Sequence, residues 1–256
     1  MNMRNSLRCR FGWWLASLVL VAIVGVALAE DDASGKQFYL PAVIYQQPSV
    51  MDCNVPGGSF TTLSIIGPPI TVNPETDRYL NLGVRGYKRV DAPLQLVQLG
   101  PVHDSKSPQF PGIFGDRRTP TFTNAYDTAP NSQWEVTLLG MGTNPAEIIY
   151  TADSGYDIGG GYEYLVLYAA ETRVTLHIGR EDGGARGYVL YIEDVCVDPD
   201  LVALYRQSYA AGRQSLPVLR GHAPFGRAIG NEVKVAVRDT GSFMDPRSRN
   251  DWWQGR

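Results

Sequence analysis

The chain has 256 residues, of which 44% are hydrophobic and 19% charged, with 23 Lys+Arg against 26 Asp+Glu for a formal net charge of −3. That length builds one large domain, or one domain with an extension. Mild acidity without a basic block excludes nucleic acid held on a phosphate-binding surface.

Arg4, Arg8 and Arg10 precede an uncharged run from Phe11 to Ala29 that ends in Ala27-Leu28-Ala29, followed by Glu30-Asp31-Asp32. A basic start, an apolar core and small residues at the cleavage positions read as a signal peptide over residues 1–29. The alternative is an uncleaved anchor, because the run nearly reaches the ~20 residues that span a bilayer. Either reading puts the body outside the cytoplasm, secreted or in the cell envelope, with membrane contact only through an uncleaved N-terminal segment. Cleavage removes three arginines and no acid, which leaves 20 basic and 26 acidic side chains and a net charge of −6. Of the three cysteines, Cys9 lies in the leader. Cys53 and Cys196 remain, as a disulfide in an oxidising compartment or as two unpaired thiols.

Residues 30–75 read as an extended, Pro/Gly-rich segment. Its "FYLPAVIYQQP" stretch, broken by Pro41, suits an edge strand or an anchor lying on the domain, and Phe60–Ile66 is a short strand candidate. The β domain is expected over 76–256. Leu80, Leu82 and Val84 alternate with Asn81, Gly83 and Arg85 as in a half-buried strand, and Pro101–Pro130 has the composition of a long loop. From Trp134 the segments "WEVTLLG", "EIIY", "EYLVLYA", "TRVTLHIG" and "GYVLYIEDVCV" follow in quick succession, rich in Val, Ile, Tyr and Thr and separated by Gly, Asp and Asn. They argue for an antiparallel all-β domain, with Asp182-Gly183 in the hairpin between the last two. Asp198 as cap, Pro199 in the first turn and Leu201, Leu204 and Tyr205 on one face predict a helix over Pro199–Ala211, ended by Gly212. Val233, Val235 and Val237 mark a further strand, which Asp239-Thr240-Gly241 turns into a second hairpin.

His103, His177 and His222 stand alone in the sequence, without the spacings that converge on a metal, and His177 falls on the solvent-facing side of its strand pattern. Ser154 sits in neither a G-x-S-x-G elbow nor an SxxK, and reads as a turn residue. Asp153 with Asp157, Glu163, Glu171, Glu193 with Asp194, and Glu232 fall in or beside strands, where some pair could serve a glycosidase. Tyr156, Tyr162, Tyr164, Trp252 and Trp253 are candidates for a sugar-stacking platform, against the alternative that they pack over the strands and plug the C-terminus.

The motifs from Asp153 onward resemble the lysostaphin-like zinc endopeptidases, which cut peptidoglycan cross-bridges. "DSGYDI" corresponds to their H-x-G-x-D opening, "LYRQS" to their Y-x-H-L segment and "GNEVKVAVRDTGSFMDP" to their G-x-x-x-H-x-H-F close. The resemblance covers residues 150–250. It implies an all-β, antiparallel barrel or sandwich of that type, with one short helix and an irregular N-terminal extension. It also implies a degenerate groove made by Asp153, Asp157, Gln207, Glu232 and Lys234. There Asp153 replaces the first zinc histidine, Gln207 the catalytic one, and Glu232 and Lys234 the pair in H-x-H. A lysine cannot ligate zinc and one carboxylate cannot hold it, so the resemblance implies a pseudoenzyme with no catalytic residue, metal or cofactor. The whole chain is also similar to a group of secreted bacterial proteins to which no function attaches.

Three functions are consistent with this reading. The first is a non-catalytic envelope domain that binds cell-wall or surface polymer, or scaffolds an envelope protein. The second is an enzyme, either a zinc peptidoglycan endopeptidase with rearranged ligands or a carboxylate glycosidase. The third is a structural surface protein whose extension pairs with a neighbour's sheet edge.

Overall fold

The structure, a computed structural model, describes residues 51–98, 104, 106–128 and 136–254. The expected leader or anchor, the "FYLPAVIYQQP" segment, His103 and Trp134 lie outside the described residues.

Among the described residues thirteen strands form two antiparallel sheets. The large one contains β1 (Thr61–Ser64), β2 (Lys88–Val90), β3 (Phe122–Asp127), β4 (Leu138–Gly142), β6 (Tyr164–Ala170), β7 (Arg173–His177), β8 (Tyr188–Glu193), β10 (Ser215–Leu219), β12 (Glu232–Asp239) and β13 (Ser242–Met244). Their order is β1-β10-β6-β7-β8-β12-β4-β3-β2, with β13 on β12 as well. The smaller sheet, in the order β5-β11-β9, joins β5 (Ile148–Tyr150), β11 (Pro224–Ala228) and β9 (Val195–Val197). Among the described residues no pairing joins edge strands β1 and β2, so the sheet is open and the closed barrel among the expectations does not form. The chain leaves the large sheet at Asp194, whose φ of 61° turns it out of β8, and β9 then pairs with β11 instead.

Register shows why the strands alternate. Val174 faces Ile192, Ile192 faces Val235 and Val235 faces Leu139 across four strands, and Leu176, Leu190 and Val237 make the next row. These rows point into a core that also holds Ile149, Phe225, Val195 and Val197 of the small sheet. Phe110 and Phe122 close on Trp253, with ring centroids 4.7 and 4.8 Å away, and Trp252 packs edge-on to Phe110 and Tyr188. The C-terminal aromatics are therefore a plug, carried by the short helix α2 (Asp251–Gln254).

Helix α1 (Pro199–Ala210) matches its predicted span within one residue. The Asp198 carboxylate caps it at Asp200 N (2.9 Å), and its other oxygen accepts from Val55 N (2.9 Å). The same N-terminal strap is tied to β9 by the Cys53–Cys196 disulfide, with Cα atoms 5.3 Å apart.

Two expectations over 76–130 give way to local chemistry. Residues Leu80–Val84 form no strand, because Asp77 accepts from Tyr79 N and Leu80 N and bends the chain, and Leu82–Arg85 closes as a 3-10 helix. The stretch read as a long loop contains β3, whose Thr, Asn and Asp content hid it.

Candidate functional site

The reverse face of the large sheet is polar. Arg173, Glu193 and Lys234 stand directly opposite one another on β7, β8 and β12, a cation-anion-cation row. Arg173 Nη1 lies 3.4 Å from Glu193 Oε2. Lys234 pairs with Asp194 and sits over the Tyr87 and Tyr126 rings at 5.2 and 4.9 Å. Glu232 accepts from Thr123, Asn124 and Tyr126, and its carboxylate occupies the space that a side chain at Gly140 would take. Burial alone would raise the Glu232 pKa, but the three hydrogen bonds and Lys234 outweigh it and lower the pKa. Glu193 has no such donors. Burial pushes its pKa up to about 7, although Arg173 and Lys234 pull the other way. Residues 75–90 cross this face: Thr175 donates to Leu80 O (2.6 Å), Tyr191 to Tyr79 O (2.6 Å) and Arg173 to Asn81 Oδ1 (3.2 Å). These groups are paired with one another or with residues 75–90 and mostly covered, so they serve the fold.

The loop 153–163 is different, because it walls three clefts. The first, about 500 Å³, is lined by Tyr156, Asp157, Asp104, Lys106, Arg180 and Glu181, together with Arg186, Tyr188 and Asp239. The second, about 460 Å³, takes Asp153, Gly155 and Glu163 from the loop and Gln109, Arg117 and Trp253 from elsewhere. The third, about 480 Å³, is lined by Tyr162, Arg220 and His222 with the strap residues Gly57–Phe60. Gly155 lines the second cleft and the next residue, Tyr156, the first, while Tyr162 of the third precedes Glu163 of the second, so the three clefts adjoin along the loop.

Local bonds explain how the loop holds this shape. Asp157 Oδ1 accepts from Gly159 N (2.6 Å) and Gly161 N (3.0 Å), closing a tight turn. Glu163 Oε2 accepts from Ser154 N (2.6 Å), Ser154 Oγ (2.8 Å) and Gly155 N (3.0 Å). Ser154 is therefore a buried partner of Glu163 as well as a turn residue. Arg117, held with φ at 54°, places its guanidinium on the Asp153 carboxylate. Lys106 Nζ sits 4.5 Å from the Tyr156 ring centroid, and Arg220 stacks over Tyr162 at 4.6 Å.

The five residues expected in one groove stand apart. Asp153 lies in the second cleft and Asp157 in the first, while Gln207 is exposed on α1. Glu232 and Lys234 belong to the polar row. Asp157 shares its cleft with Asp239, five residues along β12 from Lys234, or roughly 17 Å at the usual strand rise. No three of His, Cys, Asp and Glu gather for a metal among the described residues. Of the proposed stacking aromatics, Tyr164, Trp252 and Trp253 are buried and offer no ring face, while Tyr156 and Tyr162 are partly open. His177 lies on the face opposite the core, as the strand pattern assigned, but it is not solvent-facing. It is fully buried, with Nε2 2.7 Å from Arg186 O and Nδ1 3.1 Å from Glu181 O, because the β7–β8 loop folds back over it. Asp182, expected only as a turn residue, is the buried partner of Arg213. Sequence reasoning missed Lys106, Gln109 and Arg117, which come from the irregular stretch before β3 and carry no motif.

The fold and clefts define an open, two-sheet antiparallel β protein with a polar, multi-cleft surface around one glycine-rich loop. Compared with protein-family models, with curated proteins and with solved structures, the chain finds no match.

Proposed function

We propose that this chain is an exported, non-catalytic binding domain that takes a linear, hydroxyl-rich polymer of the cell wall or cell surface across the loop 153–163. The observation that carries this reading is that one loop walls three clefts of 460 to 500 Å³. A single small molecule needs one such cleft, whereas a polymer with repeating units fills several in line. The lining suits sugars. Carboxylates and guanidinia offer paired acceptors and donors to hydroxyls, and the partly open Tyr156 and Tyr162 rings offer flat apolar faces.

Export is part of the proposal, on the strength of the N-terminal pattern of Arg4, Arg8 and Arg10 before the apolar run and of the Cys53–Cys196 pair. The zinc endopeptidase reading draws no support from the placement of Asp153, Asp157, Gln207, Glu232 and Lys234. The glycosidase reading has one pair to consider. The 2.6 Å bond from Ser154 N to Glu163 puts the Asp153 and Glu163 carboxylates within roughly 8 Å of each other. Both, however, already accept charged or multiple hydrogen bonds, which leaves neither set up as the proton donor that glycoside cleavage needs.

Calorimetric titration with oligosaccharides of increasing length tests the reading. Affinity is expected to rise from monomer to hexamer as successive clefts fill. Equal affinity for monomer and hexamer, or no binding to any wall or surface polysaccharide, would reject it.

A further inference from the structure

We infer that the cleft holding Asp153, Glu163 and Gln109 is a subsite for an acetamido group, so that the polymer taken by this surface is built from N-acetylated amino sugars. This rests on the polymer-binding reading and deepens it. Gln109 is only 6% exposed and lines the cleft. Its backbone N–H bonds Asp153 O (2.6 Å), which fixes the residue in place. Its side-chain NH₂ donates to Ser107 Oγ (3.4 Å), while its Oε1 is buried with no hydrogen-bond partner. A buried carbonyl without a donor costs stability, and natural proteins keep few of them. The group that satisfies it must bring a donor, N–H or O–H, into a site already lined by two acceptors, Asp153 and Glu163.

The surroundings narrow the choice further. A free ammonium would meet the Arg117 guanidinium paired with Asp153. A simple hydroxyl would satisfy Oε1 but leave the apolar wall of Pro111 and Trp253 uncovered. With the Gln109 side chain turned toward the cleft, an acetamido group supplies an N–H for its Oε1, a carbonyl for the Arg117 guanidinium and a methyl for that wall. No bond is made or broken in this step, which is recognition alone.

Three hexamers discriminate the outcomes by calorimetry: N-acetylglucosamine hexamer, its fully deacetylated form and the glucose hexamer. The neutral glucose oligomer is the essential control, because the deacetylated form is cationic and the chain carries a net charge of −3. The N-acetylated hexamer is expected to bind at least tenfold more tightly than the glucose hexamer, and Gln109→Leu to abolish that difference. Thermal melts run alongside establish that each variant is folded. Gln109→Asn, which keeps the amide but withdraws it by one methylene, is expected to lose the preference as well. Equal affinity for the acetylated and glucose hexamers would overturn the acetamido subsite while leaving polymer binding intact. Failure of all three, and of every other wall or surface polysaccharide, would remove both.

Discussion

Two regions of this molecule concentrate ionisable side chains, and they do different work. On the reverse face of the large sheet Arg173, Glu193, Lys234, Asp194 and Glu232 neutralise one another under the strap of residues 75–90. Around the loop 153–163 the charges line open clefts. Density of charge is therefore no guide to function in this chain. The informative property is whether a polar group still has bonding capacity that solvent or ligand can reach.

The largest expected effect lies at a third polar contact, on the structural side of that divide. Arg213 and Asp182 are both buried, with side-chain exposures of 3% and 0%, and Arg213 also donates to Tyr205 and to Leu167 O. Arg213→Met strands the Asp182 charge and should cost about 3–5 kcal/mol of unfolding free energy. Urea denaturation measures it. A loss below about 1 kcal/mol would show that this pair is solvated and that the contrast between regions is overdrawn.

Glu193 sharpens the same contrast through pH. Its carboxyl is raised from the ordinary range to about 7 in the native state by burial. The folded protein therefore holds a proton that the unfolded chain releases above about 4.5, and stability should fall as pH rises from there to about 7. Integrated over that window the loss is on the order of 3 kcal/mol, and Glu193→Gln should flatten it. Denaturation midpoints of both proteins at a series of pH values decide the sign. If stability instead rises across the window, Arg173 and Lys234 outweigh burial and hold Glu193 ionised.

The sequence made one region legible and hid the other. Alternating Val233, Val235 and Val237 identified β12, and Asp198-Pro199 marked the start of α1, because both signals are local and periodic. The partners Cys53 and Cys196 followed from counting thiols. The polar row was beyond reach, since Arg173, Glu193 and Lys234 meet only through register across three strands. His177 misled for the same reason: period-two reading assigned it a face but not the loop that covers it. The clefts were half visible. Asp153, Tyr156, Asp157 and Tyr162 were singled out, yet their neighbours Lys106, Gln109 and Arg117 lie in a segment without periodicity. The resemblance to zinc endopeptidases selected Glu232 and Lys234 by position in a motif, whereas their bonding places them in the structural row.

On the cleft side, Tyr156 is the residue whose replacement should separate binding from folding. Tyr156→Leu keeps an apolar body against the core but removes the flat ring that Lys106 crosses at 4.5 Å. Loss of a stacking face should weaken hexamer binding about tenfold, with the melting temperature within about 3 °C of the parent. Parallel titration and melting curves read both. An unchanged affinity would take the first cleft out of the binding surface.

The smallest expected effect on binding is at Lys234. Lys234→Met keeps an unbranched apolar stem and removes the ammonium that pairs with Asp194 and sits over the Tyr87 and Tyr126 rings. Its side chain is 11% exposed, and Asp194 at 41% can recover solvent, so the pair itself should contribute no more than about 1 kcal/mol. The greater consequence is for Glu193, which loses one of its two flanking cations and should titrate still higher, extending the fall in stability above about pH 7. Oligosaccharide affinity should stay within about twofold of the parent, because Lys234 stands roughly 17 Å along β12 from the cleft residue Asp239. A large loss of polymer binding in Lys234→Met, with the melt intact, would instead return the ligand to the groove that the endopeptidase resemblance implies.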